Sequence, residues 1–97
     1  MLTLGIDSGT QSTKAIVLDT ETGEILATAQ YEYDLVEGLP EGHLEQRPGD
    51  WVEATKSCIA DCLQAIGDRR SEVRGIGVSG QQHGLVALDG EDQPVRD

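Results

Sequence analysis

Apolar and polar residues alternate through Leu2-Thr3-Leu4-Gly5-Ile6-Asp7, and that period predicts a strand with one buried face. A glycine-containing turn, Ser8-Gly9-Thr10-Gln11-Ser12, follows it, and Lys14-Ala15-Ile16-Val17-Leu18-Asp19 reads as a second strand. Thr20-Glu21-Thr22-Gly23 is turn-like, and Glu24 to Tyr31 forms a third strand. Connections this short make sequential strands antiparallel, so residues 1–31 are expected to be a meander. The pattern then dissolves into a glycine- and proline-rich, acidic stretch, predicted to be a surface excursion over residues 32–49.

A helix is predicted over residues 50–66, because Trp51, Thr55, Cys58, Ile59, Cys62, Leu63 and Ile66 recur at helical spacing. Asp50 with Glu53 reads as a capping box, Pro48 suits a first turn, and Gly67 ends the run. Arg69, Arg70 and Arg74 follow as a solvated turn whose first charges complement the helix's negative end. Val73 to Ser79 is a strand that a helical crossover can lay parallel to an earlier one. Leu85 to Leu88 is read as a further strand, with Asp89-Gly90 as a hairpin turn and Gln93-Pro94-Val95 as a return. The order β-β-β-α-β-β defines an α/β fold with a mixed sheet.

Composition narrows the functions open to such a fold. The chain of 97 residues carries 18 acidic and 7 basic side chains, a net charge of −11. That balance excludes binding through a phosphate backbone, which needs clustered Lys and Arg. Apolar runs are far too short to span a bilayer, and no basic leader precedes one, so a soluble cytoplasmic protein is expected. The aromatic residues are Trp51, Tyr31 and Tyr33, which leaves Ile, Leu, Val and Ala to build the core. Cys58 and Cys62 lie four apart on one helical face, a geometry poor for a disulfide, and are read as buried small hydrophobes. His43 is read as a solvated loop residue.

Two glycine motifs differ in meaning. Gly75-Ile76-Gly77-Val78-Ser79-Gly80 matches G-x-G-x-x-G, but it lies inside a predicted strand and no amphipathic helix opens at its last glycine. It is therefore not a dinucleotide fingerprint. Asp7-Ser8-Gly9-Thr10-Gln11-Ser12-Thr13-Lys14 joins two strands and so is not a Walker loop, yet it contains the parts of a phosphate site. Gly9 frees the backbone, Thr10, Ser12 and Thr13 bring hydroxyls, Lys14 brings charge, and Asp7 can hold magnesium through water. The residues alone leave two readings open, a polar hairpin turn and a phosphate-binding loop.

Gly5 to Lys14 resembles the first phosphate motif of the FGGY carbohydrate kinases, within the actin-like ATPase group. Leu44-Glu45-Gln46-Arg47-Pro48-Gly49-Asp50-Trp51 is similar to that family's entry into its first long helix. Gly77 to Gly84 resembles the sugar-binding stretch of members that act on xylulose. The resemblance implies the first part of a ribonuclease-H-like domain, with residues 73–88 as a sugar-binding strand and loop. It implies ATP and Mg2+ as cofactors and phosphorylation of a ketose such as D-xylulose. Asp7 would face the metal and phosphates; Gly9, Thr10, Gln11, Ser12, Thr13 and Lys14 would bind the phosphates; Gln82 and His83 would meet sugar hydroxyls. Gln82 departs from the Met common at its position, which leaves the sugar open, with ribulose- or glycerol-type substrates as alternatives. The family's catalytic base is an Asp much further along, so this chain alone is expected to be inactive. A stand-alone phosphate-binding module is the non-enzymatic alternative. An interrupted return strand would leave a sheet edge exposed and favour a homodimer.

Overall fold

The computed structural model describes residues 1–81 and 84–95. Its elements are β1 (Leu2–Ser8), β2 (Ser12–Asp19), β3 (Ile25–Glu32), α1 (Pro48–Ile66), a 3-10 turn (Gly67–Glu72) and β4 (Val73–Gly80). They form a mixed sheet in the order β3-β2-β1-β4. β1 pairs antiparallel with β2, β2 pairs antiparallel with β3, and β4 returns parallel to β1. The meander and the parallel return are those the alternation predicts. Parallel pairing needs a long crossover, and α1 supplies it.

Strand parity sorts the side chains. On one face Leu2, Leu4 and Ile6 of β1 stand beside Val17 and Ala15 of β2 and Ala27 of β3, all buried. Ala54, Cys58 and Cys62 of α1 are buried with them. Cys58 and Cys62 are free thiols with no exposed surface, as their spacing predicts. The Cys58 thiol donates to the Thr13 carbonyl at 3.3 Å, fixing the helix over β2. The Tyr31 hydroxyl on β3 donates to Asp61 on α1 at 2.5 Å, and that bond holds the phenol above its usual range. α1 lies over β2 and β3, so the β4 side chains on this face stay open: Ile76 is 64% exposed and Val78 70%.

Three local expectations are corrected. Asp50 is not the N-cap: Arg47 holds that position in extended conformation with no side-chain cap, and Pro48 begins the helix. Pro48, whose fixed φ suits the first helical position, starts the helix two residues earlier, and Asp50 falls inside the first turn, near the positive end of the helix dipole. Arg69, the first of the three arginines, is engaged by acidic side chains rather than left as a solvated charge at the helix end. Arg69 makes two bonds to Glu72 and a 3.6 Å ion pair to Asp19, tying the 3-10 turn to the β2–β3 corner. Gly67, with φ +59°, closes α1 as expected, its N–H bonding the Leu63 carbonyl.

The third correction concerns Leu85 to Leu88, which is not a strand. Leu88 bridges Pro94, Val95 N–H bonds the Ala87 carbonyl, and Leu85 is 92% exposed. The turn is longer than a two-residue hairpin, because Asp89 Oδ1 accepts from the amides of both Glu91 and Gln93. An extended segment becomes a strand only when a ladder forms beside it, and among the described residues no strand pairs with the far edge of β4.

Burial holds both cysteine thiols above their ordinary pKa, so little of either is thiolate near pH 8. In the folded chain, both should react with an aromatic disulfide reagent at least ~100-fold more slowly than in urea, read as thiol release against time. Fast native labelling of either would show that α1 does not hold its place on the sheet.

Candidate phosphate-binding site

The turn joining β1 to β2 is ordered by what its carbonyl oxygens accept. Gly9 N–H bonds the Ser12 carbonyl at 2.9 Å and closes the turn. The Ser8 carbonyl accepts from Gln81 N–H at 2.9 Å, and the Gln11 carbonyl from Tyr33 N–H at 3.0 Å. The Tyr33 hydroxyl donates to the Gly9 carbonyl, and the Gln46 side-chain amide donates to the Thr10 carbonyl. Every carbonyl from Ser8 to Ser12 is thus engaged. In a trans peptide the C=O and the following N–H point to opposite sides. Fixing the Gly9 and Thr10 carbonyls on Tyr33 and Gln46 therefore turns the Thr10 and Gln11 N–H groups the other way. Successive N–H groups of this kind make an anion-binding concavity. A side chain at Gly9 would bring its Cβ to 3.2 Å from the Ser12 carbonyl, which explains the glycine.

Gln46 is the junction behind this turn. Its Oε1 accepts from the Trp51 indole at 3.0 Å and from the Gln81 side-chain amide at 3.1 Å. Trp51 belongs to the predicted apolar stripe of α1, but it is half-buried at the helix start and spends its N–H on Gln46. The excursion that carries Gln46 is folded on itself through Val36 N–H to the Glu45 carbonyl at 2.7 Å. A cleft of about 980 Å3 opens beside the junction, with Thr10, Gln11, Trp51 and Gln81 among its lining residues.

The candidate residues divide between two faces of the sheet. Asp7 stands opposite Lys14 on β2 and Ser79 on β4, and the Ser79 hydroxyl donates to Asp7 Oδ1 at 3.0 Å. Asp7, Thr10, Gln11 and Lys14 are exposed. Ser12 and Thr13 are buried: Ser12 Oγ accepts from Gln30 at 3.2 Å, and Thr13 Oγ1 lies 3.3 Å from the Tyr33 hydroxyl. Gln82 and His83 lie outside the described residues. Tyr33, Gln46, Ser79 and Gln81 have no role in the sequence reading, although Gln46, Ser79 and Gln81 stand inside its motifs. Among the described residues no group of three acidic, His or Cys side chains could cage a metal. A single carboxylate suits magnesium, which keeps several waters and is otherwise held by substrate phosphates.

A mixed sheet in the order β3-β2-β1-β4, with α1 as the crossover to a parallel β4, is the opening part of the actin-like ATPase fold. The chain belongs to the FGGY family of carbohydrate kinases, whose N-terminal-domain profile matches residues 2–97. It is 38% identical over 95 residues to the xylulose kinase of Streptomyces rubiginosus, covering 98% of this chain and 18% of that one. It is 40% identical over 96 residues to the xylulose kinase of Haemophilus influenzae, covering 95% of this chain and 19% of that one. The crystal structure of a xyloylose kinase from Brucella ovis superposes with a TM-score of 0.88 at 36% identity, over 99% of this chain and 20% of that one. The chain therefore spans about a fifth of the length of these relatives.

Tyr33→Phe keeps the ring and removes the hydroxyl that serves Gly9 and Thr13. It should lower stability by about 1 kcal/mol in urea unfolding and shift the Thr10 amide resonance, because the Gly9 carbonyl loses its partner. An unmoved Thr10 amide would mean that the turn keeps its shape without Tyr33.

Proposed function

We propose that residues 1–97 form the phosphate-facing wall of an ATP-dependent sugar kinase that phosphorylates a hydroxyl of a ketose, with D-xylulose the first substrate to test. The hold of Tyr33 and Gln46 on the Gly9 and Thr10 carbonyls carries this reading, because it turns the Thr10 and Gln11 N–H groups to the opposite side of the turn. The names of the relatives support xylulose over ribulose- or glycerol-type sugars.

ATP supplies the phosphoryl group when bound, and Mg2+ offsets its charge. The Thr10 and Gln11 amides and the Lys14 ammonium would grip the phosphate oxygens, placing donors where charge spreads during transfer. Asp7, held by the Ser79 hydroxyl, would orient the waters around the cation rather than take a proton from the sugar. Thr13 would act through its backbone and by holding Tyr33, since its hydroxyl lies on the core side, whereas Ser12, on the Lys14 face of β2, would hold Gln30 beside the turn. Gln82 and His83 would meet the sugar hydroxyls, for which donor-and-acceptor side chains are suited. The base that accepts the proton of the attacking hydroxyl would come from outside these residues. No helix among the described residues is long and apolar enough to cross a membrane.

In a chain of the relatives' length carrying this segment, xylulose-dependent ADP release is expected, and Asp7→Ala should lower kcat by roughly 100-fold or more. His83→Ala should cost xylulose about 100-fold in kcat/KM while leaving the KM for ATP nearly unchanged. Residues 1–97 alone should give no turnover. Retained activity in the Asp7 variant, or equal loss toward both substrates in the His83 variant, would overturn the assignment of that residue. Phosphate binding without turnover in the longer chain would favour a binding module.

A further inference from the structure

Gln46 stands in the excursion, 36 residues from Thr10 and 35 from Gln81 in sequence, yet its one amide group touches both. The chemistry of its neighbours fixes which way the amide points. The Trp51 indole can only donate, so it must face the oxygen, and the Thr10 carbonyl can only accept, so it must face the nitrogen. The two halves therefore do different work. The oxygen gathers the start of α1 and the end of β4; the nitrogen holds the Thr10 carbonyl and thereby aims the Gln11 N–H.

We infer that Gln46 is a positioning residue that couples the phosphate turn to the strand end leading into Gln82 and His83, so that phosphate held at Thr10 and Gln11 is sensed at Gln81 and Trp51. This rests on the phosphate-binding reading of the turn. Tightening of the turn around an anion draws the Thr10 carbonyl, Gln46 follows through its nitrogen, and both groups on its oxygen move with it. The excursion thus belongs to the site as its rear brace. Trp51 is the single tryptophan of the chain, so the indole N–H is a reporter of the junction.

The test uses the 15N-labelled chain titrated with inorganic phosphate, reading the Thr10 and Gln11 amides and the Trp51 indole N–H. In wild type all three should shift along one binding curve. Gln46→Glu keeps an acceptor for Trp51 and Gln81 but sets a carboxylate oxygen against the Thr10 carbonyl. Phosphate affinity should then fall roughly tenfold to a hundredfold, while the indole resonance in the free protein stays near its wild-type position. Gln46→Leu should displace the indole resonance and remove its response to phosphate. Thr10 and Gln11 amides that ignore phosphate in wild type would overturn the phosphate reading itself. Amides that respond while the indole does not would overturn the coupling alone. So would Gln46→Glu binding phosphate as wild type does, or losing its folded spectrum, which would make Gln46 a folding residue.

Discussion

The hydrogen bonds that hold the carbonyl oxygens of the β1–β2 turn tie that turn to every other part of the structure around it. Five successive carbonyls, Ser8 to Ser12, each have a hydrogen-bond partner. Their partners come from four places: the turn itself, the chain just past β3, the excursion before α1, and the end of β4. The acidic, irregular stretch after β3 has few apolar anchors, and much of its reason to be ordered lies in these contacts.

The sheet decides which side chains can join the turn. Parallel pairing of β4 with β1 sets Ser79 beside Asp7, and antiparallel pairing of β2 sets Lys14 across from it. One residue either way exchanges the faces. Thr13, next to Lys14, lies on the core side, its carbonyl taken by Cys58 and its hydroxyl beside Tyr33. The same parity gives the outer face Gly5, Gly75 and Gly77, with open space above Gly77. α1 can press close to the other face because it meets it with Ala54, Cys58 and Cys62 rather than with large residues.

Local pattern carries the meander, the helix and the parallel return, because alternation and helical spacing are written residue by residue. The turn is legible as a phosphate candidate from Gly9 and its hydroxyls, and the family resemblance sharpens it. Composition cannot show which hydroxyls point outward. Strand parity is the signal that separates Lys14 from Thr13, since neighbours on a strand face opposite ways. Tyr33, Gln46 and Gln81 are invisible for a different reason: their partners are distant, and nothing in a stretch such as Glu45-Gln46-Arg47 names Thr10 as a neighbour. Leu85 to Leu88 is misread because a strand-like run does not reveal whether another strand waits beside it. Asp50 is misplaced because the helix already begins at Pro48, two residues before it.

The union of β1 with β4 also bears on how the protein assembles. Asp7 and Ser79 are 72 residues apart, whereas the β1–β2–β3 meander closes through short turns. Closing the longer loop costs more entropy before any contact rewards it. The meander is therefore expected to form early in folding, with its turn still open on the β4 side, and the site to be completed only when the crossover brings Gln81 to Ser8. On a ribosome, the nascent chain would carry a half-built turn until residue 81 has emerged.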